Sequence, residues 1–152
     1  MIDKGLAVFL QEGVGIHIGT RNGSLEPNGS RAVAATVDED GSHLIVYVTD
    51  LAAPRVLPDL EANGQAAVSF GRPVDERACQ VKGVFRGVRA ASDSERALVQ
   101  AQWDGYRASL EQIGIPLVAT ATWPNWPAVA IRLQVTAVFD QTPGPKAGEP
   151  LA

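Results

Sequence analysis

The side chains best placed to do chemistry in this 152-residue chain are cations and hydroxyls rather than a nucleophile with its base. In SRAVAATVDEDGSHLIVYVTD (30–50), Arg31 heads one apolar run and Thr49 ends the next; Arg55 follows six residues later. If the two runs pair as an antiparallel hairpin, Arg31 and Thr49 come to the same edge. A guanidinium and a hydroxyl would meet there, beside the amides of a following helix, a combination able to seat a phosphate. Thr36, Gln80 and Lys82 are further polar side chains on predicted strands. Water-solvated strand ends would have the same composition, so these residues alone leave both readings open.

Other chemistries lack their residues. There is no GxSxG, no HExxH and no phosphate-binding glycine loop with its lysine. His17 and His43 both fall on predicted strands, where a surface or partly buried imidazole is the ordinary outcome. Cys79, the one cysteine, excludes an intrachain disulfide and reads as an inert buried thiol; with two separated histidines it makes no zinc cluster. The carboxylates of DEDG (38–41) suit a turn and do not match a calcium loop. Net charge is 13 − 17 = −4, which gives no long-range attraction to a phosphate backbone, so no nucleic-acid partner is expected. MIDKGLAVFL is too short for a signal peptide, and no apolar run approaches the ~20 residues of a membrane span. A soluble, cytoplasmic protein with no membrane partner is expected.

The elements that must position these residues are mostly strands. Apolar spacing predicts a helix over 2–10 and strands at 13–19, 31–37, 43–49, 65–70, 79–91 and 129–139, with loop or hairpin turn at 20–29. After Thr49, Asp50 is placed to cap a helix that Pro58 breaks in two and that ends at Asn63-Gly64. Gly83 and Gly87 predict bulges in a curling strand. SDSE (92–95) is a capping box opening a helix whose stripe is Val99, Trp103, Tyr106, Leu110 and Ile113, stopped by Gly114. Strands in series rather than alternating with helices predict a mainly β protein: a small antiparallel barrel with two or three flanking helices. Residues 1–139 form one domain and 140–152 a Pro/Gly-rich tail with too little apolar content to fold on itself.

The ordered series SRAVAATVDEDGSHLIVYVTD, APRVLPDLEANGQAAVSF and ACQVKGVFRGVRAASDSE resembles the pyridoxamine 5'-phosphate oxidase-like, FMN-binding split barrels over roughly residues 13–139. That family's pattern is an S-R-x-V strand, a D-x-x-G turn, an apolar strand ending in threonine, an S-R-K segment before a helix, and a QV.G.A strand. The resemblance implies a six-stranded antiparallel split barrel of Greek-key type that forms a homodimer with FMN between subunits. It implies that Arg31, Thr49 and Arg55 contact the phosphate, that Thr36 falls near the flavin, and that Gln80 and Lys82 orient or tune it. Trp126, or equally Trp123, falls at an aromatic position supplied by the other subunit. Ala53-Pro54-Arg55 stands where the family has S-R-K, so one cation is missing and weaker FMN affinity is expected. The family's arginine-histidine ending is also missing, which argues against vitamin B6 oxidation. The implied function is an FMN-dependent oxidoreductase acting on a small, unidentified molecule. The alternatives are a deazaflavin cofactor, haem bound through His17 or His43, and a non-catalytic dimeric module with a decayed flavin site.

Overall fold

Alternating side chains build seven strands: β1 (Gly15–Arg21), β2 (Pro27–Ala32), β3 (Ala34–Val37), β4 (His43–Thr49), β5 (Gln65–Gly71), β6 (Ala78–Ala90) and β7 (Ala128–Asp140). A computed structural model describes residues 1–151. Every pairing is antiparallel, in the order β2-β1-β5-β6-β7-β4-β3. The two edge strands, β2 and β3, are separated in sequence only by Val33. One bent stretch of chain thus joins both edges and curls the sheet into a barrel.

That bend is why there are seven strands and not six. Before Val33 the chain pairs with β1, Ala32 opposite Ile16; after it the partner is β4, Ala34 opposite Tyr47. A coiled sheet cannot keep a single straight strand in register with both. The pairing with β1 also starts earlier than expected, at Pro27, so the turn shrinks to residues 22–26. Asn22 holds that turn, its Oδ1 accepting from the amides of Ser24 and Glu26. Past the bend, β3 has a free edge, and two glutamines stand in for the missing strand. Gln102 accepts from the Ala35 amide at 3.0 Å and donates to its carbonyl at 2.8 Å, and Gln11 accepts from Val37.

Inward residues of every strand form one core, including Ile16, Ile18, Val46, Val68, Phe70, Val81 and Leu133. Helix α1 (Lys4–Gln11), capped by Asp3, adds Leu6, Phe9 and Leu10 to it. The broken helix is a 3₁₀ turn, Ala53–Arg55, followed by α2 (Leu57–Asn63), which ends at Gly64 with φ of 72°. Asp50 is exposed and caps neither piece. Helix α3 (Asp93–Gln112) opens with the Ser92/Glu95 capping box and lays Val99 and Trp103 on the barrel's outer face, against Val33, Ala34, Tyr47 and Ala130. Ile113 lies past the helix end and is exposed. Register shifts occur at Lys82/Gly83 and Phe85/Gly87, where bulges were predicted. A Cβ on Gly83 would sit 2.9 Å from the Gln134 carbonyl oxygen, so only glycine allows that approach. The chain after β7 turns back along it: the Leu151 amide donates to the Val138 carbonyl, and Phe139 bridges Pro150. Among the described residues, no helix is long and apolar enough to cross a membrane.

Candidate functional site

Strand alternation puts one line of polar side chains across the outside of the barrel. Ile16, Ile18, Val68, Phe70, Cys79 and Val81 point inward, so their neighbours point out. Register then sets Arg31 of β2 opposite His17 of β1, His17 opposite Ser69 of β5, and Ser69 opposite Gln80 of β6. Beside this line lie Gly29, Gly19 and Ala67, whose small size leaves a shallow floor. The 3₁₀ turn docks against β2 where the Asn28 side-chain amide donates to the Arg55 carbonyl. Arg31, Arg55, His17, Ser69 and Gln80 thereby line one open cavity of about 530 Å³.

The cavity is cationic. Among the described residues, neither the Arg31 nor the Arg55 guanidinium has a carboxylate within ion-pair distance. His17 reaches solvent, but partial burial and then the nearby Arg31 charge lower its pKa from the ordinary histidine value. It is therefore neutral at neutral pH, with a nitrogen lone pair available. The Gln80 amide nitrogen is 3.4 Å from the Ser69 hydroxyl, a long contact that leaves most of the amide's hydrogen-bonding capacity free. The helix amides expected to help an anion contribute little, because the 3₁₀ turn and α2 are short and each carries a proline in its first turn. Attraction for an anion rests on the guanidinium groups.

Arg31 also borders a second, smaller cavity of about 290 Å³, lined by Thr49, Val33, Ala52, Trp103 and Trp123. Its guanidinium carbon lies 3.5 Å from the centre of the Trp123 ring, so one flat face of the cation is covered by indole. Arg31 and Thr49 both line this cavity, but not as hairpin partners: the β3–β4 pairing begins at Ala34, and Arg31 pairs with β1 instead. Arg55 and Gln80 line the larger cavity with Arg31.

Three of the sequence-derived candidates lie elsewhere on the single chain. Thr36 sits on β3 opposite Ile45. The Lys82 ammonium is 4.9 Å from the Phe139 ring and borders a neighbouring groove with Gln65 and Arg21. Trp126 packs on the outer apolar cluster beside the Arg96 guanidinium; of the two tryptophans, Trp123 is the one at Arg31. His43 is the first residue of β4, its Nδ1 bonded to the Ser42 hydroxyl and close to Asp38. Cys79 is buried, which pushes its thiol pKa up to about 12 and leaves it inert. His17, named from the sequence only as a haem-ligand alternative, and Ser69 carry no motif that marks them as anion-site residues. The one signal is the Asn22-Gly23 turn, which fixes the β1–β2 register and with it His17 opposite Arg31.

No family model and no curated protein matches the chain. Solved structures do. HupZ of Group A Streptococcus aligns with a TM-score of 0.57 and 15% identity over 97% of this chain and 100% of that one. An F420 reductase gives 0.55 and 20% identity over 90% and 97%. An FMN-binding protein from Syntrophomonas wolfei subsp. wolfei gives 0.54 and 9% over 91% and 87%. Likeness at such identities is likeness of fold, and the chain has the split-barrel fold of the pyridoxamine 5'-phosphate oxidase-like proteins.

Proposed function

We propose that this chain binds a phosphate-bearing flavin, FMN or a deazaflavin, in the Arg31–Arg55–Gln80 cavity and acts as an oxidoreductase on a small molecule. One observation carries the reading: two guanidinium groups without carboxylate partners converge from separate segments on a cavity of about 530 Å³, within the size range of cofactor sites. The donor set fits the group, since planar forks bind phosphate through paired N–H donors. An FMN-binding protein and an F420 reductase share the fold, which is consistent with either ring system.

A bound flavin supplies hydride or electron transfer. In this reading Arg31 and Arg55 anchor the phosphate, and Gln80 presents an amide to the ring. Gly19, Gly29 and Ala67 let a flat group lie close to the strands. Thr49 supports the far side of Arg31, and Lys82, opposite Ala67, stands at the edge of the floor, while Thr36 and Trp126 would reach a flavin only across a subunit interface. The cavity opens on one side, and a second copy of the chain, forming a homodimer, would close it. A cytoplasmic setting suits a chain with one buried thiol.

His17 favours a second reading. A neutral imidazole facing this cavity could ligate haem iron, with Arg31 and Arg55 taking the propionates. A visible spectrum of the purified chain, followed by FMN titration monitored by flavin fluorescence, separates the readings. Saturable quenching with one flavin per subunit supports the flavin. A Soret band that His17→Ala abolishes supports haem. A colourless chain that takes up neither leaves a non-catalytic dimeric module.

A further inference from the structure

The geometry points to Trp123 as the positioning residue of the anion site: it holds the Arg31 guanidinium by its face so that the N–H edge is presented to a phosphate. This rests on the flavin reading and adds the element that sets phosphate affinity. Arg31 has no carboxylate to orient it among the described residues, and a free arginine side chain samples many rotamers. The indole at 3.5 Å limits that sampling. A cation–π stack uses only the face of the ion, and all five N–H donors lie in its plane, so stacking and phosphate binding do not compete. An acidic side chain would orient Arg31 equally well but would neutralise it; an aromatic plate keeps the charge available.

Trp123 is itself held without help from Arg31. Its amide donates to the Thr120 carbonyl, and the Thr120 hydroxyl accepts from Arg107 of α3 at 2.8 Å. Two residues on, the Asn125 side-chain amide donates to Gln100, also on α3. The Trp103 ring, again from α3, lies 6.2 Å away in a tilted arrangement. The 20-residue helix therefore fixes the loop that carries Trp123, and Trp123 fixes Arg31.

The test compares FMN with riboflavin, which has the same ring and no phosphate, by fluorescence titration of the full-length chain. Trp123→Ala is expected to raise the FMN Kd about tenfold and to leave riboflavin within about twofold. Trp123→Phe, which keeps an aromatic face, should restore most of the FMN affinity. In an Arg31→Ala background, Trp123→Ala should add less than about a twofold loss, because its effect passes through Arg31. If Trp123→Ala does not fold, Trp123→Leu against Trp123→Phe gives the same contrast. The proposal is overturned if the wild-type chain binds FMN while the Trp123 variants leave it unchanged, weaken both flavins equally, or multiply independently with Arg31→Ala. A wild-type chain that binds neither FMN nor riboflavin, nor a phosphate-bearing deazaflavin in the same titration, overturns the flavin reading as well, so the two failures are distinguishable.

Discussion

Two clefts on the outside of the barrel each gather more than one arginine, and they differ in what holds the guanidinium groups. The second, of about 360 Å³, lies over β6, β7 and β4, with Arg86, Arg89 and Arg132 around apolar Ile45, Val88 and Ala130. Each of those arginines is engaged. Arg89 donates two bonds of 2.7 Å to Glu95, Arg132 one of 2.9 Å to Asp38, and Arg86 two to the side-chain amide oxygen Oε1 of Gln134. Glu95 also accepts from the Tyr47 hydroxyl at 2.6 Å and from Ser92, so this cleft is where the start of α3 is fastened to the barrel. In the first cleft the one plate beneath Arg31 is an indole, which has no charge to cancel. The number of arginines is similar; their partners separate a fastening from a binding site.

The sharpest challenge to that contrast is to remove one arginine from each cleft. Arg31→Ala should weaken FMN binding ten- to a hundredfold, about 1.5–3 kcal/mol, since a charge-assisted phosphate contact is lost. Arg132→Ala, which breaks an exposed ion pair, should change FMN affinity by less than about twofold. Fluorescence titration of both variants reads the difference, and equal losses would erase the distinction between the clefts.

Glu95→Gln tests the other half, with stability as the readout. It removes the charge on which Arg89 and the capping box converge and should cost about 1–2 kcal/mol in chemical unfolding, with FMN affinity unchanged. Part of the Arg89 pair faces water, which keeps the figure modest. Bonds from Arg89, then Tyr47 and Ser92, hold the Glu95 carboxyl well below the usual carboxylate range. A carboxyl lowered in the folded state stabilises above its unfolded value, about 4.3, and that contribution is lost as pH falls. The wild type should therefore lose stability from about pH 5 downward more steeply than Glu95→Gln. Parallel acid limbs would show that Glu95 carries no such role.

The contrast also shows what could be read from the sequence. The capping box at Ser92, the broken helix between Thr49 and Gly64 and the bulges at Gly83 and Gly87 were legible because each depends on local backbone chemistry. The bend at Val33 was not, since it answers to a change of partner strand that no neighbouring residue announces. Arg31, Arg55 and Gln80 were found as cations and amides on strands and turns. His17 and Ser69 needed the cross-strand register, and the stack of Trp123 on Arg31 joins positions 92 residues apart (123 − 31 = 92) through the path of α3. Whether a given arginine is neutralised is likewise a matter of tertiary contact.

Pro54 offers a smaller gain-of-function test. It stands exposed beside Arg55, in the first turn of the 3₁₀ segment, where the split-barrel pattern carries a second cation. Pro54→Arg should tighten FMN about threefold, the scale of one solvent-exposed charge, and leave riboflavin unchanged. The same addition at Val88, in the fastened cleft, should not tighten FMN. Equal gains at both positions would mean that net charge alone, and not the partner-free Arg31 cavity, draws the anion.

The smallest expected effect has opposite signs in the empty and loaded chain, which makes it diagnostic. His17 is lowered below its ordinary value by burial and then by Arg31. Between that lowered value and about 6.5, the unfolded chain binds more protons than the folded one, so stability without ligand falls as pH drops through this window. A phosphate dianion beside His17 favours the imidazolium and raises its pKa, so FMN affinity should rise about two- to threefold between pH 8 and 6.5. His17→Asn should flatten both slopes, leaving only the phosphate's own titration near pH 6. Calorimetric unfolding and flavin titration across that range read the two slopes separately. If the variant keeps both, His17 does not face the anion, and the cavity has one fewer member than its register implies.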